Sequence, residues 1–184
     1  MPLILICLLA LSGELFASNR ERLQEANFPA THELEQSSLE RKNQSVLTYL
    51  WIDVYAAALY APQNASANQA ISQSLTQRLE LYYLRAIDSQ DVIKAAWVTL
   101  ERQHDAATLQ RLRADIDALH ATFCDIRPGD RYALNFNTER GLTLEVNGQV
   151  AYTSQNPELA KAYLGIWLAP NGLSDKLRRR LLAD

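Results

Sequence analysis

Beyond the N-terminus, apolar residues are most concentrated between Val46 and Tyr60, where only Thr48 and Asp53 are clearly polar. Successive side chains of a strand point to opposite faces, and both faces of this segment are apolar. The pattern therefore predicts a central strand that is covered on both sides. The preceding residues, 18–45, are rich in Glu, Gln, Ser and Asn, which predicts a surface lead-in with short edge strands.

Alternating apolar and polar residues predict further strands downstream, and turn residues separate them. In the first of these strands Arg85 falls on the same face as the apolar side chains. Asn147-Gly148 is the strongest short signal of a two-residue hairpin turn. The predicted strands comprise residues 78–87, 131–136, 141–146 and 150–152.

Apolar residues three or four positions apart predict helices, and capping residues mark where the helices begin. The clearest apolar stripe follows Asp105 and comprises Leu109, Leu112, Ile116, Leu119 and Phe123. Asn156-Pro157 places a capping side chain directly before proline at the first helical position, which is typical of a helix start. The predicted helices begin at Ala67, at Asp88 or Ser89, after Asp105, at Asn156 and at Ser174.

The order of these elements is strands, helices, a meander of strands and then helices again. This order predicts the α+β class, with a large antiparallel sheet covered by a layer of helices. The sequence contains no internal repeat and no linker that would divide it. A single domain is therefore predicted over residues 18–184.

The N-terminus begins with a nearly continuous apolar run, Pro2 to Leu11, followed by Ser-Gly and then Leu15-Phe16-Ala17. Residues 1–17 are interpreted as a secretory signal peptide, so the mature protein is expected to be exported to the periplasm. The run is too short to span a bilayer, which needs about 20 apolar residues. No Lys or Arg precedes the run, although signal peptides usually begin with positive charge. The alternatives to a signal peptide are an N-terminal buried strand and a wrongly chosen start codon.

Composition and motifs exclude several classes of function. The formal net charge of -3 does not suit a nucleic-acid partner, which attracts basic surfaces. The three histidines are scattered without the spacing of metal ligands, so no metal is expected. The sequence also lacks phosphate-binding glycine loops and nucleophile-elbow motifs, and no cofactor is predicted.

The apolar segment carries the candidate chemistry. If it is one strand, Tyr49, Trp51, Asp53 and Tyr55 share a face, which suits the wall of a ligand cleft. A buried acid requires a partner, and Arg85 on a neighbouring strand could supply it. Asp53 and Arg85 are therefore either a structural ion pair that sets strand register or part of a ligand cleft.

Four motifs resemble the chalcone isomerase-like family in their order and spacing, and they are most similar to its exported bacterial branch. The resemblance covers roughly residues 28–182. It implies an open-faced β-sandwich, in which a large antiparallel sheet packs against helices with a ligand cleft between them. The motifs are "VYAAALYAP", "LYYLRAI", "FCDIRPGDRYALNF" followed by "GLTLEVNG", and "AYLGIWLAPNGLSDKLRRRLL".

The resemblance also indicates which chemistry is missing. True isomerases of the family place hydroxyl, amine and amide groups at positions that correspond here to Tyr55, Val92, Ala95, Thr99 and Ile166. No lysine–tyrosine–asparagine set occurs in any nearby register, and Lys94 is isolated. Isomerisation of a phenolic chalcone requires such groups to stabilise a phenolate, so catalysis is not expected and no catalytic residue is assigned.

Fatty-acid-binding members of the family instead pair a tyrosine with an upstream arginine that holds the lipid carboxylate. By resemblance, the tyrosine corresponds to Tyr55 and the arginine to Arg41, with its neighbour Lys42 as the alternative. Arg41 lies 14 residues before Tyr55, so both would face the same way along an unbroken strand. The glycines that the family places before this arginine are absent.

The sequence is interpreted as an exported, non-catalytic chalcone isomerase-like protein whose cleft binds a fatty acid or a similar apolar anion. Tyr55, with Arg41 or Arg85, is expected to bind the headgroup, while Trp51 contacts the tail and Asp53 lies on the same wall. Two alternatives remain: an isomerase (an intramolecular lyase) with an altered active site, and an interaction module whose cleft is filled by side chains. A cavity between sheet and helices would argue against the latter.

Overall fold

The computed structural model describes residues 19–183. Its centre is a seven-stranded sheet in which every neighbouring pair is antiparallel and the spatial order follows the sequence order. This arrangement confirms the predicted α+β class and the large antiparallel sheet. The strands are β1 (Thr31–Leu34), β2 (Ser37–Tyr49), β3 (Ile52–Pro62), β4 (Gln77–Tyr83), β5 (Arg131–Asn137), β6 (Gly141–Val146) and β7 (Gln149–Ser154).

The helices precede, interrupt and follow this meander. Residues 19–26 are helical and are called α1 here. The other helices of the described chain are α2 (Ala67–Ser72), α3 (Ser89–Gln103), α4 (Ala106–His120), α5 (Pro157–Leu168) and α6 (Asp175–Leu181). No helix within residues 19–183 combines the length and the apolar character that a bilayer crossing requires. The predicted signal peptide lies outside the described residues.

The capping side chains stabilise three of the predicted helix starts as expected. Asp105 accepts a hydrogen bond from the Thr108 amide at 2.7 Å, and Ser174 caps α6 in the same manner. Asn156 accepts from the Glu158 amide at 3.0 Å, with proline at the first helical position. At the start of α3 the side chain of Asp88 makes no capping bond, and a loop carboxylate, Asp125, accepts from the Ser89 amide instead.

The prediction of a single central strand over residues 46–60 is wrong. The chain reverses at Leu50-Trp51, so that Tyr49 at the end of β2 pairs with Ile52 at the start of β3. The φ angles of Leu50 and Trp51 are 46° and 69°, and both are positive, as a type I′ hairpin turn requires. Such turns prefer Asn-Gly, and a Leu-Trp pair carries no turn signal in the sequence. The polar residues before Val46 likewise belong to β2, a strand of 13 residues.

The sheet has two covered faces, each with its own core. The helix face packs against α3, α4, α5 and α6, and it includes Tyr55, Leu79, Leu81, Tyr83, Tyr132 and Leu134. The N-terminal face packs against α1 and the chain that follows it. Its core contains Ala26, Phe28, Leu39, Val46, Ala56, Ala58 and Tyr60.

Candidate functional site

A cavity of about 370 Å³ lies between the helix face of the sheet and helices α3 and α5. This volume falls in the range of small-molecule sites, and most of the lining side chains are aliphatic or aromatic. The space between sheet and helices is therefore not filled, which argues against the filled-cleft alternative. The lining residues are Leu47, Thr48, Tyr49, Val54, Tyr55, Leu79, Leu81, Tyr83, Ile87, Asp91, Val92, Ala95, Ala96, Phe123, Tyr132, Leu134, Leu144, Tyr163, Ile166, Trp167, Leu173 and Ser174.

Four buried tyrosines contribute hydroxyl groups to the cavity wall: Tyr55, Tyr83, Tyr132 and Tyr163. The rings of Tyr55 and Tyr83 lie edge to face, with centroids 5.5 Å apart, and Tyr132 packs on Tyr83 in the same way at 5.5 Å. Trp167 donates a hydrogen bond from Nε1 to the Tyr55 hydroxyl at 2.8 Å. The Tyr55 oxygen is then an acceptor in this bond, and its own O–H remains able to donate.

Burial keeps these phenols neutral. Desolvation raises the pKa of Tyr55 and of Tyr163, and it raises the pKa of Tyr83 well above its ordinary value. Desolvation disfavours the charged phenolate, so the tyrosines are hydrogen-bond donors and not bases at any physiological pH. Among residues 19–183, the Tyr83 hydroxyl has no hydrogen-bond partner. A donor without a partner beside an apolar cavity is available to a ligand.

A buried histidine supports the cavity wall from behind. His120 lies at the end of α4, and its Nε2 is 3.1 Å from the hydroxyl of Tyr163. Desolvation lowers the pKa of His120 to about 4, so the ring is neutral near pH 7. Its position orients Tyr163 and does not place a charge in the cavity.

The charged side chain that lines the cavity is negative, whereas the sequence predicted a positive one for a ligand carboxylate. Of the lining residues only Asp91, in the first turn of α3, carries a charged side chain, and no Lys, Arg or His is among them. A carboxylate that entered the cavity fully would lose its hydration without gaining a cation, which is costly. The cavity therefore suits apolar chains and neutral polar ends.

Of the five candidate binding residues, Tyr55 lines the cavity and the other four do not. Trp51 is 91% exposed at the hairpin turn. Arg85 is exposed beyond the end of β4, and its Nε donates to the backbone oxygen of Asp53 at 3.1 Å. The Asp53 carboxylate accepts from the Thr48 hydroxyl at 2.8 Å and lies 3.6 Å from Nε of Arg22.

The expected buried pairing of Asp53 with Arg85 needs correction, because Arg85 lies at the surface and the described ion pair of Asp53 is with Arg22. Arg85 would share a face with the apolar residues of β4 only if the strand continued through it. The strand ends at Tyr83, so the alternation of faces ends there too.

Arg41 lies on the opposite face of the sheet from Tyr55. It pairs in register with Tyr60, five residues or about 17 Å along β3 from Tyr55. Its guanidinium donates to the backbone oxygen of Phe28 on the N-terminal face. The shared face predicted from the even spacing is wrong, because the chain reverses between the two residues and β2 shifts register twice, between Leu47 and Thr48 and between Arg41 and Asn43.

Four of the five positions that correspond by resemblance to the isomerase residues meet at the cavity. Tyr55, Val92, Ala95 and Ile166 all line it. Thr99 is buried, and its hydroxyl donates to the Ala95 carbonyl within α3 at 2.8 Å. These four positions therefore meet at one cavity, and three of them, Val92, Ala95 and Ile166, contribute apolar side chains.

Sequence reasoning did not assign Tyr83, Tyr163 and Trp167 to the site. Tyr83 could have been found, since it alternates with Leu79 and Leu81 on one face of β4. Tyr163 and Trp167 are four residues apart on α5 and so share one side of the helix. Nothing in the sequence indicated that this side would meet Tyr55.

Comparison with known proteins agrees with the fold of the chain. A family model described as chalcone isomerase-like matches residues 20–183. Among solved structures, the fatty-acid binding protein of Arabidopsis thaliana superposes with a TM-score of 0.62 at 14% sequence identity, covering 84% of this chain and 90% of that chain. The search of curated proteins found no match. Because the family model spans nearly all of the described residues, the chain belongs to the chalcone isomerase-like family.

Proposed function

We propose that the protein binds a single-chain lipid of the fatty-acid class in the cavity between the helix face of the sheet and helices α3 and α5. The observation that carries the proposal is the apolar cavity of about 370 Å³. The fatty-acid binding protein of Arabidopsis thaliana, which has the same fold, supports the choice of ligand class. The free energy of binding of an alkyl chain becomes more favourable by about 0.8 kcal/mol for each methylene group that is buried.

The polar end of the ligand is placed at the hydroxyls of Tyr55 and Tyr83. Tyr83 has a donor without a partner among residues 19–183, and Tyr55 retains its O–H proton while accepting from Trp167. Two neutral donors suit a carboxylic acid, an alcohol or an ester. Since the lining contributes no cation, the acid binds in its protonated form, and affinity falls as pH rises above the pKa of the free acid.

Displacement of a fluorescent fatty acid tests the proposal. Affinity is expected to rise roughly fourfold for each added methylene group until the cavity is full. A fatty alcohol of equal length is expected to bind at both pH 5 and pH 8, whereas the acid binds better at pH 5. Failure of the parent protein to bind any member of the series saturably would contradict the proposal.

A variant that fills the cavity separates specific binding from adsorption to the surface. Ala95→Phe places a ring in the cavity from α3, and it is expected to abolish binding while the fold is retained. Ala118→Phe is the matched control, because Ala118 is exposed on α4 and is not among the lining residues. Equal affinities of Ala95→Phe and the parent would place the ligand elsewhere.

We further propose that the protein is exported and does not catalyse isomerisation. The apolar N-terminal run supports export. N-terminal sequencing of the protein from its host is expected to return Ser18 or a neighbouring residue, and recovery of Met1 would contradict export. Absorbance of a hydroxychalcone is expected to decline no faster with the protein than without it, because Val92, Ala95 and Ile166 replace the polar groups that stabilise a phenolate.

A further inference from the structure

The turn between β2 and β3 exposes a group of adjacent apolar side chains. Of the six large hydrophobic side chains that are exposed within residues 19–183, four are consecutive: Tyr49 (67% exposed), Leu50 (71%), Trp51 (91%) and Ile52 (45%). These four residues are called the hairpin tip here. Single exposed apolar residues are common, whereas a contiguous group usually marks an interaction surface.

The backbone of the hairpin tip makes this choice of residues more unusual. Leu50 and Trp51 both have positive φ angles, which cost roughly 1–2 kcal/mol for each non-glycine residue. Asn-Gly would form the same turn without that cost and without exposing apolar surface. Two independent penalties at one position indicate a function other than folding.

The base of the hairpin holds the tip in place. Thr48 and Asp53 are paired across the two strands, and the Thr48 hydroxyl donates to the Asp53 carboxylate at 2.8 Å. Arg22 from α1 and Arg85 from beyond β4 both contact Asp53, at 3.6 Å and 3.1 Å. These contacts hold the hairpin tip in a fixed position, with two arginines at its base.

The hairpin tip also lies at the cavity. Thr48 and Tyr49 belong to the cavity lining, and Leu47 before them does as well. A surface that receives the tip therefore comes close to the space into which a lipid chain would pass. This location distinguishes the tip from the remaining exposed residues, Val98 and Val150.

We propose that the hairpin tip docks on a lipid bilayer surface, with Leu50 and Trp51 inserted among the headgroups and upper acyl chains. Trp and Tyr favour the membrane–water interface, and Leu and Ile favour the acyl region beneath it. A second protein copy is a poorer occupant, because four side chains cover less than the roughly 800 Å² per partner of a stable interface. Arg22 and Arg85 are already engaged with Asp53, so insertion is driven mainly by apolar contact and depends little on salt.

Binding to lipid vesicles tests this docking, and the protein purified from its host is used. Phosphatidylcholine vesicles containing brominated lipid are expected to quench the fluorescence of Trp51, the most exposed of the three tryptophans. The double variant Leu50→Asn/Trp51→Gly provides the comparison. Because this variant lacks Trp51, co-sedimentation with the vesicles compares it with the parent. It is expected to bind vesicles about 100-fold more weakly, while melting at the same or a higher temperature because its turn residues accept positive φ.

Val150→Thr is the control, since Val150 is exposed on β7, four strands or roughly 19 Å from β3. Equal vesicle binding by the parent and the double variant would overturn the proposal, as would absence of binding by the parent. A parent dimer that the double variant loses, seen by light scattering, would assign the tip to self-association instead. Lipid affinity without vesicles is expected to be the same in the parent and the double variant, so failure of docking and failure of the proposed function are distinguishable.

Discussion

The two faces of the sheet treat charge in opposite ways. The helix face carries neutral tyrosines and an apolar cavity, whereas the N-terminal face buries a network of four charged side chains. Arg78 and Glu80 are only 6% and 4% exposed, yet they lie on the same strand as Leu79 and Leu81 of the cavity wall. One strand thus separates an ionic interior from an apolar one.

The buried charges are fully matched to one another. Glu80 accepts from Arg78 at 3.1 Å and from Arg131 at 2.7 Å, and Glu145 accepts from Arg78 at 2.7 Å. Asn135 joins the network through Arg78 and Glu145, at 2.9 Å and 2.7 Å. Two cations and two anions balance, so the network needs no ligand. Buried charge within residues 19–183 therefore indicates architecture, whereas the lining of the cavity contains no Lys, Arg or His.

The largest expected effect comes from breaking the network. Glu80→Ala leaves the buried Arg78 and the half-buried Arg131 without their shared carboxylate, and the free energy of unfolding is expected to fall by about 3–5 kcal/mol. Urea unfolding measures the change, with Glu101→Ala on the exposed side of α3 as control. A loss below about 1 kcal/mol would show that the ionic face contributes no more than a surface pair.

The second effect concerns pH and the helix face. His120 has a pKa lowered from 6.5 to about 4 in the folded protein, so the unfolded chain binds more protons between these values. The contribution of neutral His120 to the free energy of unfolding is therefore complete above pH 6.5. It declines as the pH falls to 4, by as much as about 3 kcal/mol. His32 also has a lowered pKa, caused mainly by burial, so the parent must be compared with His120→Gln. Identical pH profiles of the two proteins would assign the decline to other groups.

A smaller effect is expected when a cavity tyrosine loses its partnered hydroxyl. Tyr55→Phe removes the acceptor of the Trp167 indole N–H, and Trp167 is only half-buried. The expected loss is about 1–2 kcal/mol, or several degrees in the melting temperature. Scanning calorimetry checks it, and an unchanged melting point would mean that water replaces the lost acceptor.

The smallest effect on stability is expected for substitution of Tyr83. This substitution distinguishes the two faces most directly, because it is expected to change ligand affinity more than stability. Tyr83→Phe removes a hydroxyl without a partner among residues 19–183, so stability should change by less than about 0.5 kcal/mol. Affinity for a fatty acid should nevertheless fall about 3- to 10-fold, because the ligand loses a donor. A large loss of stability with unchanged affinity would make Tyr83 a structural residue like those of the ionic network.

The sequence alone was sufficient for the features that depend on neighbouring residues. The antiparallel α+β class was predicted from the order of the elements. The caps at Asn156 and Ser174, the helix start after Asp105 and the Asn147-Gly148 turn were predicted as well. Each depends on side-chain geometry within a few residues, where intrinsic preference and structure agree. Motif resemblance identified Tyr55 as a cavity residue for the same reason, since it required only a local match.

Only the tertiary structure decided where the chain reverses and which residues face the cavity. The pairing of β2 with β3 forces a turn at Leu50-Trp51 against local preference, because many cross-strand contacts outweigh two unfavourable φ angles. That turn, together with the two register shifts of β2, between Leu47 and Thr48 and between Arg41 and Asn43, placed the predicted arginine on the opposite face, since each of the three exchanges the faces once. The meeting of Tyr55 with Trp167, 112 residues apart, is a long-range contact of the same kind, and no local pattern specifies it.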